Sequence, residues 1–438
     1  MSINVLVIGS GAREHAICKS VKKSLIKNKI FCFASNYNPG IANICNNIFV
    51  GDLNDKKSIL KYALDKNIKI AIVGPENPLE IGISDLLINE KILVVGPKKN
   101  LAQLETSKIF TRELLKNYNI NGCPEYKAFN KLNGVKKYLE RLGNDYVVKY
   151  DGLAGGKGVK VSGDHLKSHK EAIKYCEKIT KQNGKFIIEE KLHGEEFSLM
   201  SFTDGKNLKH MPVVQDHKRA FEGDKGPNTG GMGSYSCEDH LLPFLSKTNV
   251  DEAKSINNNI INALKNKFND NYMGILYGGF ILTDKGVKVI EYNARFGDPE
   301  VMNVLQILKS DFLEICLAIC EQKLDNVEVE FKNQATVCKY AVPIGYPDNP
   351  IKGEKIDISK LKNQQNLFFG SLDEINGELI EAGSRTLAYV GVGKSLIEAE
   401  KISEESISSV KGPLFHRKDI GTNDLILNKI NKVRLLKK

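Results

Sequence analysis

Short apolar runs alternate with helix-spaced polar stretches through the first hundred residues. Ile3–Ile8 is a largely apolar run, followed by Gly9-Ser10-Gly11-Ala12-Arg13-Glu14-His15 and a helix-like segment. Lys29–Ala34, Ile68–Val73 and Ile92–Val95 read as further strands, with helical patterns between them. Strands that alternate with helices predict a parallel, doubly wound sheet, here an N-terminal α/β domain over 1–105.

Beyond it the pattern becomes β-rich. Thr106 or Ser107 is placed to cap a helix running to about Leu115. Strands are predicted at Tyr146–Tyr150, Gly158–Val161, Lys185–Leu192 and Phe197–Thr203. A long helix, Asp251–Phe268, precedes strands Gly274–Thr283 and Gly286–Arg295, and two helices follow to about Leu324. From Ala335 short strands and glycine-containing turns return. The fold class expected is therefore α/β and α+β multidomain: 1–105, a central domain over 106–330, and a small, β-rich α+β C-terminal domain over 331–438.

Bulk properties narrow the class. A chain of 438 residues predicts about two to four domains. With 41% hydrophobic and 26% charged residues the composition is that of a soluble globular protein. No apolar run approaches the roughly 20 residues that span a bilayer, and the N-terminus lacks the pattern of an export signal. The nine cysteines are scattered without a CxxC pair, and Cys316 and Cys320 fit helix packing, so a reducing cytoplasm is expected. The net charge of +10 comes from dispersed lysines rather than a basic block, so no nucleic-acid partner is expected.

Candidate chemistry lies in four places. Gly9-Ser10-Gly11, between a strand and a helix, could hold an anion or be a plain tight turn. Glu14 stands where a dinucleotide fingerprint has its third glycine, and no acid ends the second strand, which weakens an NAD reading. Lys149, near a strand end, precedes the loop Gly152 to Gly158, in which Gly155, Gly156 and Gly158 let the backbone approach phosphates and Lys157 adds charge. The spacing is not that of a Walker A loop. In Val287–Arg295 alternation puts Glu291, Asn293 and Arg295 on one face, where a carboxylate and an amide oxygen suit a hard cation and the guanidinium a carboxylate or phosphate. The polar stretch from Gln215 to Gly233 reads as a long loop that closes over anionic ligands or stays at the surface. His165 and His169 lack the companions of a zinc site, and no GxSxG elbow occurs.

These segments together resemble the phosphoribosylamine–glycine ligase (glycinamide ribonucleotide synthetase) family of ATP-grasp enzymes. The resemblance rests on GSGAREHA, GPENPLEIG, VVKYDGLAGGKGV, IIEEKLHGEEFS, QDHKRAFEGDKGPNTGGMG and VIEYNARFGDPE in this order over nearly the whole chain. It implies an ATP-grasp central domain with a mobile subdomain over about 120–192, and the substrates ATP, glycine and 5-phosphoribosylamine. Lys108 and Lys149 would hold phosphates, with Gly155-Gly156-Lys157-Gly158 closing over them. Glu189, Glu190, Lys191 and Leu192 would read adenine, and Glu196 the ribose. Glu291 and Asn293 would bind Mg2+ or Mn2+. Gly9, Ser10, Gly11, Asp216, Lys218, Arg295 and Asp298 would contact substrate, with Asp216 on the glycine ammonium and Arg295 on its carboxylate. A cytoplasmic monomer with a single activity is expected. Ala12, the AGGKG loop, SNYNPG and Gly383-Ser384-Arg385-Thr386 depart from the family's usual pattern.

Overall fold

The computed structural model describes residues 2–155 and 157–436; Gly156, expected in the phosphate loop, lies outside them. Strands β1 (Ile3–Ile8), β2 (Asn28–Ala34), β3 (Asn47–Val50), β4 (Ile70–Val73) and β5 (Leu93–Val95) form a parallel sheet of order β3-β2-β1-β4-β5. A strand covered on both faces needs apolar residues at nearly every position, which is why β1 and β4 read as continuous runs. β3 has no such signature, because it is a short edge strand with Phe49 and Val50 half-exposed. The order reverses beside β1, so a crevice opens above the carboxyl ends of β1 and β4.

Two antiparallel sheets follow. The first, of order β6-β9-β7-β8, comprises β6 (Tyr126–Phe129), β7 (Tyr146–Tyr150), β8 (Val159–Val161) and β9 (Phe186–Glu190). Helices Val135–Leu142 and His169–Lys181 supply its core, in which Leu139, Tyr146, Val148, Cys176 and Phe186 pack separately from the main core. The second sheet, of order β11-β10-β16-β17, comprises β10 (Glu195–Thr203), β11 (Leu208–His210), β16 (Gly274–Thr283) and β17 (Gly286–Asn293). The helix Lys247–Phe268 packs against it, and starts earlier than its periodicity predicts because Ser246 and Asn249 form a capping box. Residues 191–194 join β9 to β10. A Cβ on Gly194 would lie 2.0 Å from the carbonyl oxygen of Leu282, so glycine alone lets the chain cross there.

The polar stretch expected as one long loop is instead paired: β12 (Gln215–Asp216), β13 (Arg219–Phe221), β14 (Lys225–Asn228) and β15 (Gly233–Ser236). β13 and β14 form a hairpin, while β12 and β15 join the C-terminal strands. Those strands are β18 (Ala335–Pro343), β19 (Lys355–Ile356), β20 (Leu367–Phe369), β21 (Leu372–Ile375), β22 (Glu378–Glu381), β23 (Leu387–Gly393) and β24 (Leu414–Phe415). The main sheet runs β12-β15-β18-β23-β20, with β24 beside β18, and β19-β22-β21 stands apart. It takes strands from both sides of residue 330. Backbone pairing, of β15 with β18, β12 with β15 and β13 with β14, makes strand of a segment that has no apolar period.

Candidate functional site

A cavity of about 1020 Å³ opens among these sheets. It runs from Arg13, Pro75 and Glu76, at the crevice above β1 and β4, to Glu196, Lys429 and Lys432. Most of the expected site residues meet on its wall.

Ser107 caps the helix Lys108–Asn117 by accepting from the Phe110 N–H at 3.0 Å, which sets Lys108 at its first turn. The Lys108 ammonium donates to the Gly152 carbonyl at 2.7 Å, at the base of the glycine loop. Lys149, on β7, lies 2.7 Å from Oε2 of Glu189 and donates to the Ile290 carbonyl at 3.1 Å. Gly155 and Gly158 line the cavity with both lysines. Lys157 is exposed and does not line it; its backbone N–H donates to the Ala154 carbonyl at 2.9 Å. Glu189, Glu190, Lys191 and Leu192 follow along the wall. The Glu190 carboxylate accepts from the Glu125 N–H at 2.8 Å, and the Lys191 ammonium donates to the Ser162 carbonyl at 3.0 Å, so both side chains brace the lobe.

Glu291 and Asn293 share one face of β17 and both reach the cavity. Burial pushes the Glu291 carboxyl up, but Lys218, Lys108, Lys149 and Arg295 outweigh it and hold the group below its usual range. The neighbours of Asn293 require its amide nitrogen to donate to Glu105 Oε1 at 3.1 Å and Tyr292 O at 3.2 Å, which turns its oxygen away from them. Among the described residues no three His, Cys, Asp or Glu are grouped as a metal cage. One carboxylate and one amide oxygen fit a hard cation that draws most of its ligands from phosphate and water.

Beside this face is an acidic pocket. Asp216, at the end of β12, faces Lys218 at 3.9 Å, and Lys218 lies 3.3 Å from Glu196. Burial raises the Asp216 carboxyl; Lys218 opposes this, and Glu196 and Glu291 reinforce it. Glu300 accepts from the Tyr277 hydroxyl at 2.8 Å, and burial followed by the nearby Asp216 raises it to about 7. Two buried acids that repel each other favour the protonated form, and a cation beside them would favour the ionised one.

Two sets of expected contact residues are engaged with groups of the protein itself. Arg295 already holds two of the protein's own carboxylates, Glu76 at 3.2 Å and Glu105 at 2.9 Å, and it donates to Phe296 O at 3.1 Å. Arg295 lines the cavity, and with three of its five N–H groups engaged in this way two remain for a ligand. Gly9, Ser10 and Gly11 do not line the cavity. The Gly11 N–H, which could bind an anion, donates to the buried Glu14 carboxylate at 2.6 Å. Asp298 does line it, accepting from Tyr340 OH at 2.7 Å and pairing with Arg385 at 3.1 Å.

Residues given no role from the sequence complete the wall. Arg385 lies over the Tyr340 ring and donates to the Gly230 carbonyl at 2.7 Å. Lys429 and Lys432, on the helix Asn423–Leu436, approach Glu195 at 3.1 Å and 2.7 Å. Arg112, Glu76, Glu105 and Glu300 also line the cavity, all buried or half-buried. A charged residue inside a helical pattern reads as a solvated face, and nothing local marks these as inward.

The models of the phosphoribosylglycinamide synthetase N domain, ATP-grasp (A) domain and C domain match residues 3–105, 106–301 and 336–423. Phosphoribosylamine–glycine ligase of Methanococcus maripaludis is 47% identical over 446 residues, covering 100% of both chains. That of Methanocaldococcus jannaschii is 48% identical with the same coverage. The crystal structure of phosphoribosylamine–glycine ligase from Thermotoga maritima superposes with a TM-score of 0.80 at 26% identity, covering 95% of this chain and 100% of that one. The biotin carboxylase domain of a Hydrogenobacter thermophilus 2-oxoglutarate carboxylase shares the fold, with a TM-score of 0.72 at 13% identity and 99% and 94% coverage. With three domain models matched in order and relatives aligned from end to end, the chain belongs to the phosphoribosylglycinamide synthetase family.

Proposed function

We propose that the chain joins glycine to 5-phosphoribosylamine at the expense of ATP, giving glycinamide ribonucleotide, ADP and phosphate. The observation that carries this reading is the full-length identity to relatives of that name, on a chain with a large cavity that gathers lysines, hard oxygen donors and paired acids.

A carboxylate is a poor electrophile, so it must be activated. An oxygen of the glycine carboxylate attacks the γ-phosphorus of ATP, ADP leaves, and glycyl phosphate forms. The phosphoribosylamine nitrogen then attacks the acyl carbon, the C–N bond replaces the C–O bond to phosphate, and the amine gives up a proton. Neither step needs a side-chain nucleophile; both need positioning and charge.

In this reading Lys108 and Lys149 hold the phosphates, and Gly155, Gly156, Lys157 and Gly158 close over them to exclude water. The backbone of Glu189 to Leu192 reads adenine, and Glu196 the ribose. Glu291 and Asn293 hold Mg2+ or Mn2+, which when bound neutralises phosphate charge as a Lewis acid. Asp216, with Glu300, takes the glycine ammonium, and Lys218 and Asp298 line the same end. The chain divides into domains 1–105, 106–330 and 331–438, and within the second the lobe of about 120–192, which has its own core, moves as a unit. The reading extends to a cytoplasmic monomer. All nine cysteines are free, and no described helix is long and apolar enough to cross a membrane.

The test is ADP release with MgATP, glycine and fresh phosphoribosylamine, omitting each in turn. Release that needs all three, with glycinamide ribonucleotide identified by mass, is expected. Release with another acid would overturn the substrate, and no release would overturn the activity. Glu291→Ala is expected to cut turnover at least about 100-fold with the fold intact.

A further inference from the structure

Lys149 does not meet Glu189 alone. Arg112, on the helix Lys108–Asn117, holds the same carboxylate from the other side. Its Nε donates to Oε1 at 2.6 Å and its Nη2 to Oε2 at 3.1 Å. Nη2 also donates to the Ile290 carbonyl at 2.7 Å, the same oxygen that accepts from Lys149. Arg112 and Lys149 thus share both acceptors. The three side chains are almost fully buried, yet all three reach the cavity wall. Among the described residues Nη1 of Arg112 has no acceptor.

The charges matter more than the bonds. Burial pushes the Glu189 carboxyl up, but Arg112 and Lys149 outweigh it and hold the group at about 2, so it stays ionised. Lys149 with Glu189 alone would be a neutral pair, which attracts a phosphate only weakly, as a dipole. With Arg112 added, the group carries one positive charge. Lys149 has three donors, and two are held by Glu189 and Ile290, which leaves one for a ligand.

We propose that Arg112 is a positioning residue for ATP, cancelling Glu189 so that Lys149 presents its charge to the nucleotide phosphates. The inference rests on the reading of Lys149 as a phosphate ligand. It also ties the lobe of β7 and β9 to β17, next to Glu291, through one shared carbonyl.

Calorimetric binding of MgATP and of adenosine to the full chain tests it, with Arg112→Met, Arg112→Lys, Glu189→Gln, Lys149→Met and the double variant R112M/E189Q. Arg112→Met should weaken MgATP binding by about tenfold or more while leaving adenosine binding within about twofold. Arg112→Lys, which keeps the charge, and R112M/E189Q, which removes the charge to be cancelled, should recover most of the loss. Equal losses for MgATP and adenosine, or a double variant no better than Arg112→Met, would reduce Arg112 to a packing role and overturn the inference. A weak Lys149→Met beside a normal Arg112→Met would overturn this inference alone. A normal Lys149→Met would overturn the phosphate reading of Lys149 together with it. Retained adenosine binding shows that each variant is folded.

Discussion

Glu14 seats its carboxylate against the bare α-carbon of Gly74: a Cβ there would lie 2.0 Å from Oε1. The acid lies beneath the crevice above β1 and β4, accepting from the Gly11 N–H at 2.6 Å and from Arg13 Nε at 2.6 Å. Gly74→Ala should therefore push the carboxylate out of its hydrogen bonds and cost about 1–3 kcal/mol. Glu14→Ala should cost a similar amount, and the double variant clearly less than the sum, because both changes remove the same bonds. Urea denaturation measures this; strictly additive losses would show that the two residues act separately.

His217 predicts a pH dependence. Its ring is buried against Tyr235, with centroids 5.9 Å apart, and neither nitrogen has a partner among the described residues. Burial lowers it to about 3; Arg417 and Lys429 add to this, while Asp224 and Asp419 oppose it. A histidine whose folded value lies below its unfolded value of about 6.5 binds its proton more readily when unfolded. Stability is then complete above pH ~6.5 and falls as pH drops towards ~3. His217→Phe, which keeps a ring and removes the titration, should match the wild type at pH ~7.5 and exceed it by about 2 kcal/mol at pH ~5. Parallel acid profiles would refute this.

The helix Asn423–Leu436 predicts a binding effect. Lys429 bridges Glu195 at 3.1 Å and Asp224 at 2.6 Å, and Lys432 meets Glu195 at 2.7 Å, one residue from the proposed ribose ligand Glu196. Removing residues 424–438 strips a buried carboxylate of both partners. KM for ATP should rise at least about tenfold, from a loss of about 3 kcal/mol at Glu195 shared between stability and binding. Steady-state kinetics with ATP varied decides it; an unchanged KM would separate this helix from the nucleotide end of the cavity.

Arg385 ties the β13–β14 hairpin region to the body of the protein. It donates to Gly230 O at 2.7 Å and Gly231 O at 3.2 Å while pairing with Asp298 at 3.1 Å. Arg385→Ala leaves a mostly buried Asp298 without its counter-charge and should cost about 3 kcal/mol. Limited proteolysis should then cut between residues 219 and 231 faster than in the wild type. Equal cleavage rates would mean that the hairpin is held by its other contacts.

Much of the architecture is legible along the chain because its causes are local. Apolar runs mark strands buried on both faces, Ser107 caps its helix through its own oxygen, and alternation along β17 puts Glu291 and Asn293 side by side. The polar segment of β12 to β15 is not legible, since what makes it strand is backbone pairing, including that of β15 with β18, a hundred residues later. Ionic partners escape for the same reason. Nothing near Arg112 points to Glu189, or near Arg295 to Glu76, because side chains so far apart in sequence meet only once separate elements have packed. By itself, then, the sequence determined the strands, the caps and the kinds of chemical group brought to the cavity. Only the tertiary structure decided which charges cancel and which stay free for a ligand, because burial and partner, rather than residue type, set the state of a charge.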